Sequence, residues 1–277
     1  MKSAAFDYVV AKTVAEAASL LRQEGTVTAA IAGGQSLVPM LNLRIVVPEL
    51  LIDIGGLEEL KETGVTAAGI RIGALTTHAD IEDGKVPDLF GGLMQKVASG
   101  ISYRAIRNYG TIGGSIALAD PAADWPVCLM ALGADVRIAT SNGARSQPIN
   151  DFIQGQYTTS LAKDEIILGF DVPRSDAALR WGLFKVVRKS GAFADSIAVI
   201  VERGNSGAVS VALAGAVSCP YLLPTIAKYV GAGETSEDVL RAAIARDLTA
   251  CAPQADSYLT RLHTSTILRA VRDMRTQ

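Results

Sequence analysis

Two stretches of this 277-residue chain place adjacent glycines and a hydroxyl residue directly after apolar residues. The first runs Ala30-Ile31-Ala32-Gly33-Gly34-Gln35-Ser36-Leu37-Val38-Pro39. The second runs Tyr109-Gly110-Thr111-Ile112-Gly113-Gly114-Ser115-Ile116-Ala117 and continues through Asp120-Pro121-Ala122-Ala123-Asp124. Glycine lets the backbone take φ > 0 and lets a ligand approach the amides closely. A run of free N–H groups forms an anion-binding concavity. Two such loops can hold one diphosphate from two sides. Lys and Arg are nearly absent from both stretches; only Arg44 and Arg107 flank them. The chemistry expected is phosphate binding by backbone amides, not by a basic clamp. Spacing alone supports a nucleotide or dinucleotide ligand. Two common fingerprints are missing: Gly84-Lys85 is followed by Val86, so there is no P-loop, and no G-x-G-x-x-G joins a strand to a helix.

These loops need elements to hold them. Phe6, Tyr8 and Val10 alternate as a short strand. Thr13 with Glu16 forms a capping box for a helix carrying Ala17, Leu20 and Leu21 on one face and ending at Gly25. Val27–Ala32 reads as a strand entering the first glycine loop, and Pro39 restricts the backbone just beyond it. Leu50–Ile54 and Gly69–Ala74 are further strands, and Thr77 caps a short helix. Leu89–Ala98 is apolar enough for a helix. Asp120 as N-cap with Pro121 at N1 predicts another, carrying Trp125, Cys128, Leu129 and Leu132 inward. Val136–Ile138 and Ile166–Phe170 are strand candidates, and Pro173–Asp176 reads as a linker.

The last hundred or so residues change character. Trp181–Val187, Ile197–Glu202 and Val209–Ala214 suggest a three-stranded antiparallel meander, with a turn at Arg203–Gly207. Two helices come after it, one capped by Thr235 with Asp238, one starting at Asp256 or Ser257. Strands followed by helices imply an α+β organisation.

Composition narrows the class. Apolar residues make up 49% and charged residues 19%, enough for a real core. A net charge of −2 argues against a nucleic-acid or anionic-membrane surface. No apolar run reaches the 18 residues of a membrane helix, and Met1–Asp7 breaks at Asp7 without a signal-peptide core, so a cytoplasmic protein is expected. Cys128, Cys219 and Cys251 are too few for a four-cysteine iron–sulfur cluster, and His78 and His263 complete no zinc motif. No metal site is expected.

The wording of the two loops, with Ile72-Gly73-Ala74-Leu75-Thr76-Thr77-His78, Asp164–Ile167 and the Lys185…Arg188-Lys189…Phe193-Ala194 segment, resembles the FAD-binding medium subunit of molybdenum hydroxylases, the carbon monoxide dehydrogenase and xanthine dehydrogenase flavoprotein family. The resemblance runs the full length. It implies an α+β chain with a two-lobed FAD-binding domain of vanillyl-alcohol-oxidase (PCMH) type over 1–174, with lobes of about 1–55 and 56–174, and a C-terminal domain of the carbon monoxide dehydrogenase flavoprotein type over 175–277. It implies that Ile31, Ala32, Gly33, Gly34, Gln35, Ser36 and Leu37 wrap the FAD diphosphate together with Gly110, Thr111, Gly113, Gly114 and Ser115. Ala117 and Asp124 sit by ribityl or ribose hydroxyls, and Ile101, Ile106 and Ile167 are apolar walls. Lys185 matches a lysine that approaches the flavin, where a cation favours negative charge on the ring.

No catalytic residue is named. Two [2Fe-2S] clusters are expected on a small partner subunit and molybdopterin on a large one, in a dimer of heterotrimers that passes electrons to FAD and on to an external acceptor. Leu118 stands where many relatives have His, and Lys189 where Arg is frequent. His78 lies in a shared motif but is read as a capped-helix or core residue, not a catalytic one. A stand-alone FAD oxidoreductase of the same fold, or a non-catalytic nucleotide-binding module, is the alternative.

Overall fold

The computed structural model describes residues 2–174, 179–204 and 207–277. The chain opens with β1 (Asp7–Val10), α1 (Val14–Leu21), β2 (Thr28–Ile31), α2 (Leu37–Asn42) and β3 (Leu50–Asp53). The three strands form a parallel sheet in the order β1-β3-β2. Crossovers between parallel strands place helices on the sheet, and Ala17 and Leu21 of α1 pack on Ile52, Leu57 and Leu60. Thr13 Oγ1 accepts the Glu16 N–H at 3.1 Å, as its type predicts. The Glu16 carboxylate reaches one residue further back, to the Lys12 N–H at 2.7 Å. Pro39 does not stop α2. It lies in the first turn, where a backbone N–H has no helical partner to lose.

Next come β4 (Gly64–Val65), β5 (Gly69–Gly73), α3 (His78–Glu82), α4 (Leu93–Ser99), α5 (Arg104–Arg107), α6 (Ile112–Leu118) and α7 (Asp124–Ala131). They are followed by β6 (Asp135–Thr140), β7 (Gly143–Pro148), α8 (Ile149–Phe152), β8 (Ile153–Gly155), β9 (Thr158–Thr159) and β10 (Ile166–Pro173). β4-β5-β10-β6-β7 is an antiparallel sheet, and β8-β9 a small hairpin. A bulge between Ile167 and Gly169 breaks the β10–β6 register. Consecutive Ile166 and Ile167 are both buried there, one in each of two cores. The helix expected from Asp120 starts later, with Ala123 as N-cap. Ala119, at φ 51°, ends α6, and Asp120 Oδ1 takes the Ala122 N–H at 2.9 Å in the turn between the helices. The Asp-Pro pair therefore shapes a turn.

The remainder comprises β11 (Leu179–Val186), β12 (Ser196–Arg203), β13 (Ala208–Gly215), β14 (Tyr221–Leu222), α9 (Pro224–Gly231), α10 (Glu237–Cys251) and α11 (Ser257–Thr276). The expected three-stranded meander has a fourth strand, β14, on its β13 edge. Two residues carry too little alternation to announce a strand. Ser236, not Thr235, is the N-cap of α10, and Asp256 caps α11 through the Leu259 N–H at 2.8 Å. Ser175 and Asp176 of the expected linker and Asn205 and Ser206 of the expected turn lie outside the described residues.

β12 divides its side chains between two cores with period 2. Ile197, Val199 and Val201 join α7 and the second sheet; Ala198 and Ile200 join α9, α10 and α11. Every residue of α7 is buried, because sheets and helices cover it on all sides. Among the described residues no helix is long and apolar enough to cross a membrane.

α11 crosses β11 at Gly182, where a Cβ would stand 1.9 Å from the Ala270 carbonyl oxygen. Gly182→Ala must push the helix off the sheet. We expect a loss of about 3 kcal/mol, the upper range for overpacking, read as a lower urea midpoint. An unchanged midpoint would show that the contact is not tight.

Candidate functional site

The first glycine stretch leaves β2 and closes on itself before entering α2. Gly34 takes φ 70°, which favours glycine. The Val38 N–H returns to Gly34 O at 2.9 Å, and Gln35 Nε2 donates to Gly33 O at 2.9 Å. Among the described residues, the N–H groups of Gly33, Gly34, Gln35 and Ser36 donate to no backbone or side-chain acceptor. Unpaired backbone donors are costly unless water or a ligand takes them. This loop offers a ligand four adjacent donors.

The second stretch behaves differently. The Ile112 and Gly113 N–H groups go to Thr76 O at 3.0 Å and Ala74 O at 2.9 Å. The Gly114 N–H goes to Thr111 Oγ1 at 3.1 Å, capping α6. Among the described residues its Thr111 N–H alone of these amides donates to no backbone or side-chain acceptor, so the second stretch offers fewer open donors than the first. Its glycines instead permit close packing. A Cβ on Gly113 would lie 2.6 Å from Ala74 Cβ, and one on Gly110 2.8 Å from His78 Nε2. The two stretches meet directly: a Cβ on Gly33 would stand 1.8 Å from the Tyr109 carbonyl oxygen.

Around this contact lies a cavity of about 540 Å³, within the range of small-molecule sites. All the candidate residues lie on its wall: Ile31–Leu37, Ile101, Ile106, Gly110, Thr111, Gly113, Gly114, Ser115, Ala117, Asp124, Ile167 and Lys185. The flanking arginines do not line it. Arg107 pairs with Glu82 at 2.7 Å and donates to Ile101 O and Ser102 O at 2.9 and 3.1 Å, fixing that loop as a wall. Arg44 donates to Lys2 O at 3.2 Å. Arg188 and Lys189 are exposed and do not line the cavity.

Asp124 and Lys185 are brought together. Lys185 Nζ lies 2.8 and 2.9 Å from the two Asp124 carboxylate oxygens and 3.3 Å from Gly100 O. The side chains are only 15% and 8% exposed, so solvent screens the pair weakly. Burial pushes the Asp124 carboxyl upward, and Lys185 pulls it back.

Sequence reasoning left His78, Phe193 and Leu118 outside the site; all three line the cavity. His78 is the first residue of α3, fixed by a capping box between Thr77 and Asp80. Its Nδ1 accepts from Trp125 Nε1 at 3.0 Å. Burial, helped by Arg107, pushes its pKa down to about 4. A depressed histidine is neutral in the fold, and its contribution to stability is whole above the unfolded value near 6.5. It is lost as pH falls towards the folded value. Between pH 6.5 and 5 we expect His78 to withdraw about 2 kcal/mol. His263, also depressed by burial, adds in the same direction. Urea midpoints across this window should fall for the native chain and fall less for His78→Gln; identical slopes would refute the assignment.

Known proteins resemble this chain in sequence and fold. Residues 4–175 match the family described as FAD binding domain in molybdopterin dehydrogenase. The glyceraldehyde dehydrogenase medium chain of Sulfolobus acidocaldarius is 35% identical over 239 residues, covering 85% of this chain and 84% of that one. The carbon monoxide dehydrogenase medium chain of Hydrogenophaga pseudoflava is 35% identical over 205 residues, covering 74% and 71%. A solved structure of carbon monoxide dehydrogenase from Hydrogenophaga pseudoflava superposes with a TM-score of 0.92 at 30% identity, covering 100% of this chain and 99% of that chain. The mixed α/β fold matches that structure from end to end. The chain belongs to the FAD-binding family of molybdopterin dehydrogenases.

Proposed function

We propose that this chain is the FAD-binding, electron-transferring medium subunit of a molybdopterin-dependent hydroxylase or dehydrogenase. The observation that carries the reading is the cavity with four open amides of the first glycine loop at its wall. The residues present suit FAD. The Gly33–Ser36 amides suit the diphosphate, and the pocket is continued by apolar Ile101, Ile106 and Ile167. Bound there, FAD would supply the redox chemistry that links [2Fe-2S] clusters on a small partner to an external acceptor. The protein's own work is to bind and position. Gly34 and Gly114 leave room at the loops, and Arg107 holds the Ile101–Ser102 wall. The Lys185–Asp124 pair brings a cation to the cavity with its charge already balanced.

The same reading divides the chain into a PCMH-type FAD-binding domain over 1–174 and a C-terminal domain over 175–277. It places the chain in the cytoplasm, in a dimer of heterotrimers with a small [2Fe-2S] subunit and a large molybdopterin subunit. The test is to purify the complex gently from its source, record its absorption spectrum and identify the released cofactor by mass. Released FAD with co-purifying iron–sulfur and molybdenum chains supports the reading. FAD on this chain without partners points to a stand-alone flavoenzyme. A chain that neither carries nor takes up flavin refutes it. Gly34→Val and Gly114→Val should each abolish FAD retention while the chain stays folded by circular dichroism.

A further inference from the structure

A buried histidine on the cavity wall holds a proton donor that the fold does not use. His78 is only 6% exposed, yet it lines the cavity. An indole N–H can only donate. Trp125 therefore requires an unprotonated Nδ1, and the neutral ring carries its proton on Nε2. Among the described residues the Trp125 bond is the ring's only side-chain hydrogen bond. Among the described residues Nε2 is not one of the buried side-chain atoms that are sealed from solvent without a hydrogen bond, as His263 Nε2 is. It therefore keeps some access to open space, and His78 is a residue of the cavity wall.

The position is specific. Nε2 rests against Gly110, where a Cβ would come within 2.8 Å of it. Gly110 in turn lies against Gly33, whose Cβ would come within 3.2 Å of the Gly110 Cα. His78 therefore stands behind the same contact that presents the open Gly33–Ser36 amides. Of the charged groups acting on the ring, Arg107 is the one that favours the neutral form, and its own guanidinium is engaged by Glu82.

We propose that His78 is a cofactor-binding residue whose Nε2–H donates to a diphosphate oxygen of FAD, in the tautomer set by Trp125. The inference rests on the FAD reading above and adds a side-chain donor to a cradle otherwise made of backbone. His78→Leu removes the donor, His78→Gln restores an N–H near the Nε2 position, and Trp125→Phe releases the tautomer.

The experiment strips FAD from the full-length chain and titrates it back by flavin fluorescence, with ADP and adenosine as competitors and a thermal melt for each variant. We expect His78→Leu to raise the FAD dissociation constant roughly tenfold. His78→Gln should stay within about threefold of the native chain, and Trp125→Phe should fall between the two. The inhibition constant for ADP should rise with that for FAD in His78→Leu, and that for adenosine should not move. Native FAD and ADP affinity in His78→Leu overturns the proposal. Equal losses in His78→Leu and His78→Gln, tracking a lower melting temperature, reduce the residue to a structural one and also overturn it. If the native chain binds no FAD, the functional reading fails and this inference falls with it. If the native chain binds FAD and only the His78 variants are indifferent, this inference alone fails.

Discussion

A Gly33→Ala chain is expected to lose FAD uptake and become less stable in one step. The added Cβ would sit 1.8 Å from the Tyr109 carbonyl oxygen and 2.6 Å from its carbon. The neighbour is backbone, so no side-chain rotation relieves the clash. Either the first loop or the Tyr109–Gly110 segment has to move. Overpacking of this kind costs about 1–3 kcal/mol. The effect on the ligand is larger, because the displaced segment carries the open amides. Losing one or two hydrogen bonds to a charged group costs about 3 kcal/mol, which weakens FAD roughly a hundredfold. Gly114→Ala is the internal comparison. Its Cβ meets only Thr111 Oγ1 at 3.0 Å, so the fold should tolerate it. Parallel FAD titration and urea melts of the two variants test the contrast. Comparable melts and comparable FAD affinities would show that the two glycine stretches do not bear on each other as the geometry implies.

The second large effect is expected at Lys185. Removing one partner of a buried ion pair leaves the other uncompensated and typically costs about 3–5 kcal/mol. Lys185→Met strands Asp124, whose side chain is 8% exposed and whose carboxyl burial already drives upward. The pH dependence has a definite sign. A carboxyl whose folded pKa lies above its unfolded value penalises the fold while it is charged. The penalty of Lys185→Met should therefore be largest above that folded pKa and shrink as pH falls and Asp124 takes a proton. Asp124→Leu combined with Lys185→Met should recover much of the loss, since apolar replacement of a buried pair is frequently neutral. Urea unfolding of the two single variants and the double variant at pH 7.5 and pH 5 completes the cycle. Strict additivity of the single losses would mean that the pair is not coupled.

The candidate residues that line the cavity could be named from the sequence because each glycine stretch is local and its wording distinctive. What could not be read is how they are satisfied. α6 begins inside the second stretch, where adjacent glycines disfavour a helix, and the bonds from Ile112 and Gly113 to Thr76 and Ala74 anchor its start. Those bonds join segments far apart in sequence, so no local pattern announces them. His78 was hidden for the same reason: Trp125, which orients it, lies 47 positions further on. Asp124 and Lys185 were each legible as site residues, but their pairing across 61 positions was not. The long strands β10, β12 and β13 carried clear patterns. The two- and three-residue strands β8, β9 and β14 carried none.

The wholly buried helix α7 has a consequence for how this protein can be made. On a ribosome, Asp124–Ala131 emerges well before β12 and β13, which supply part of its cover. Until they arrive, Trp125, Val127, Leu129 and their neighbours lack that cover, and such surfaces aggregate. A recombinant fragment stopped near residue 175, where the family match ends, carries this exposure permanently. Such a fragment is expected to aggregate where the whole chain does not, and cloning boundaries should respect the cover of α7.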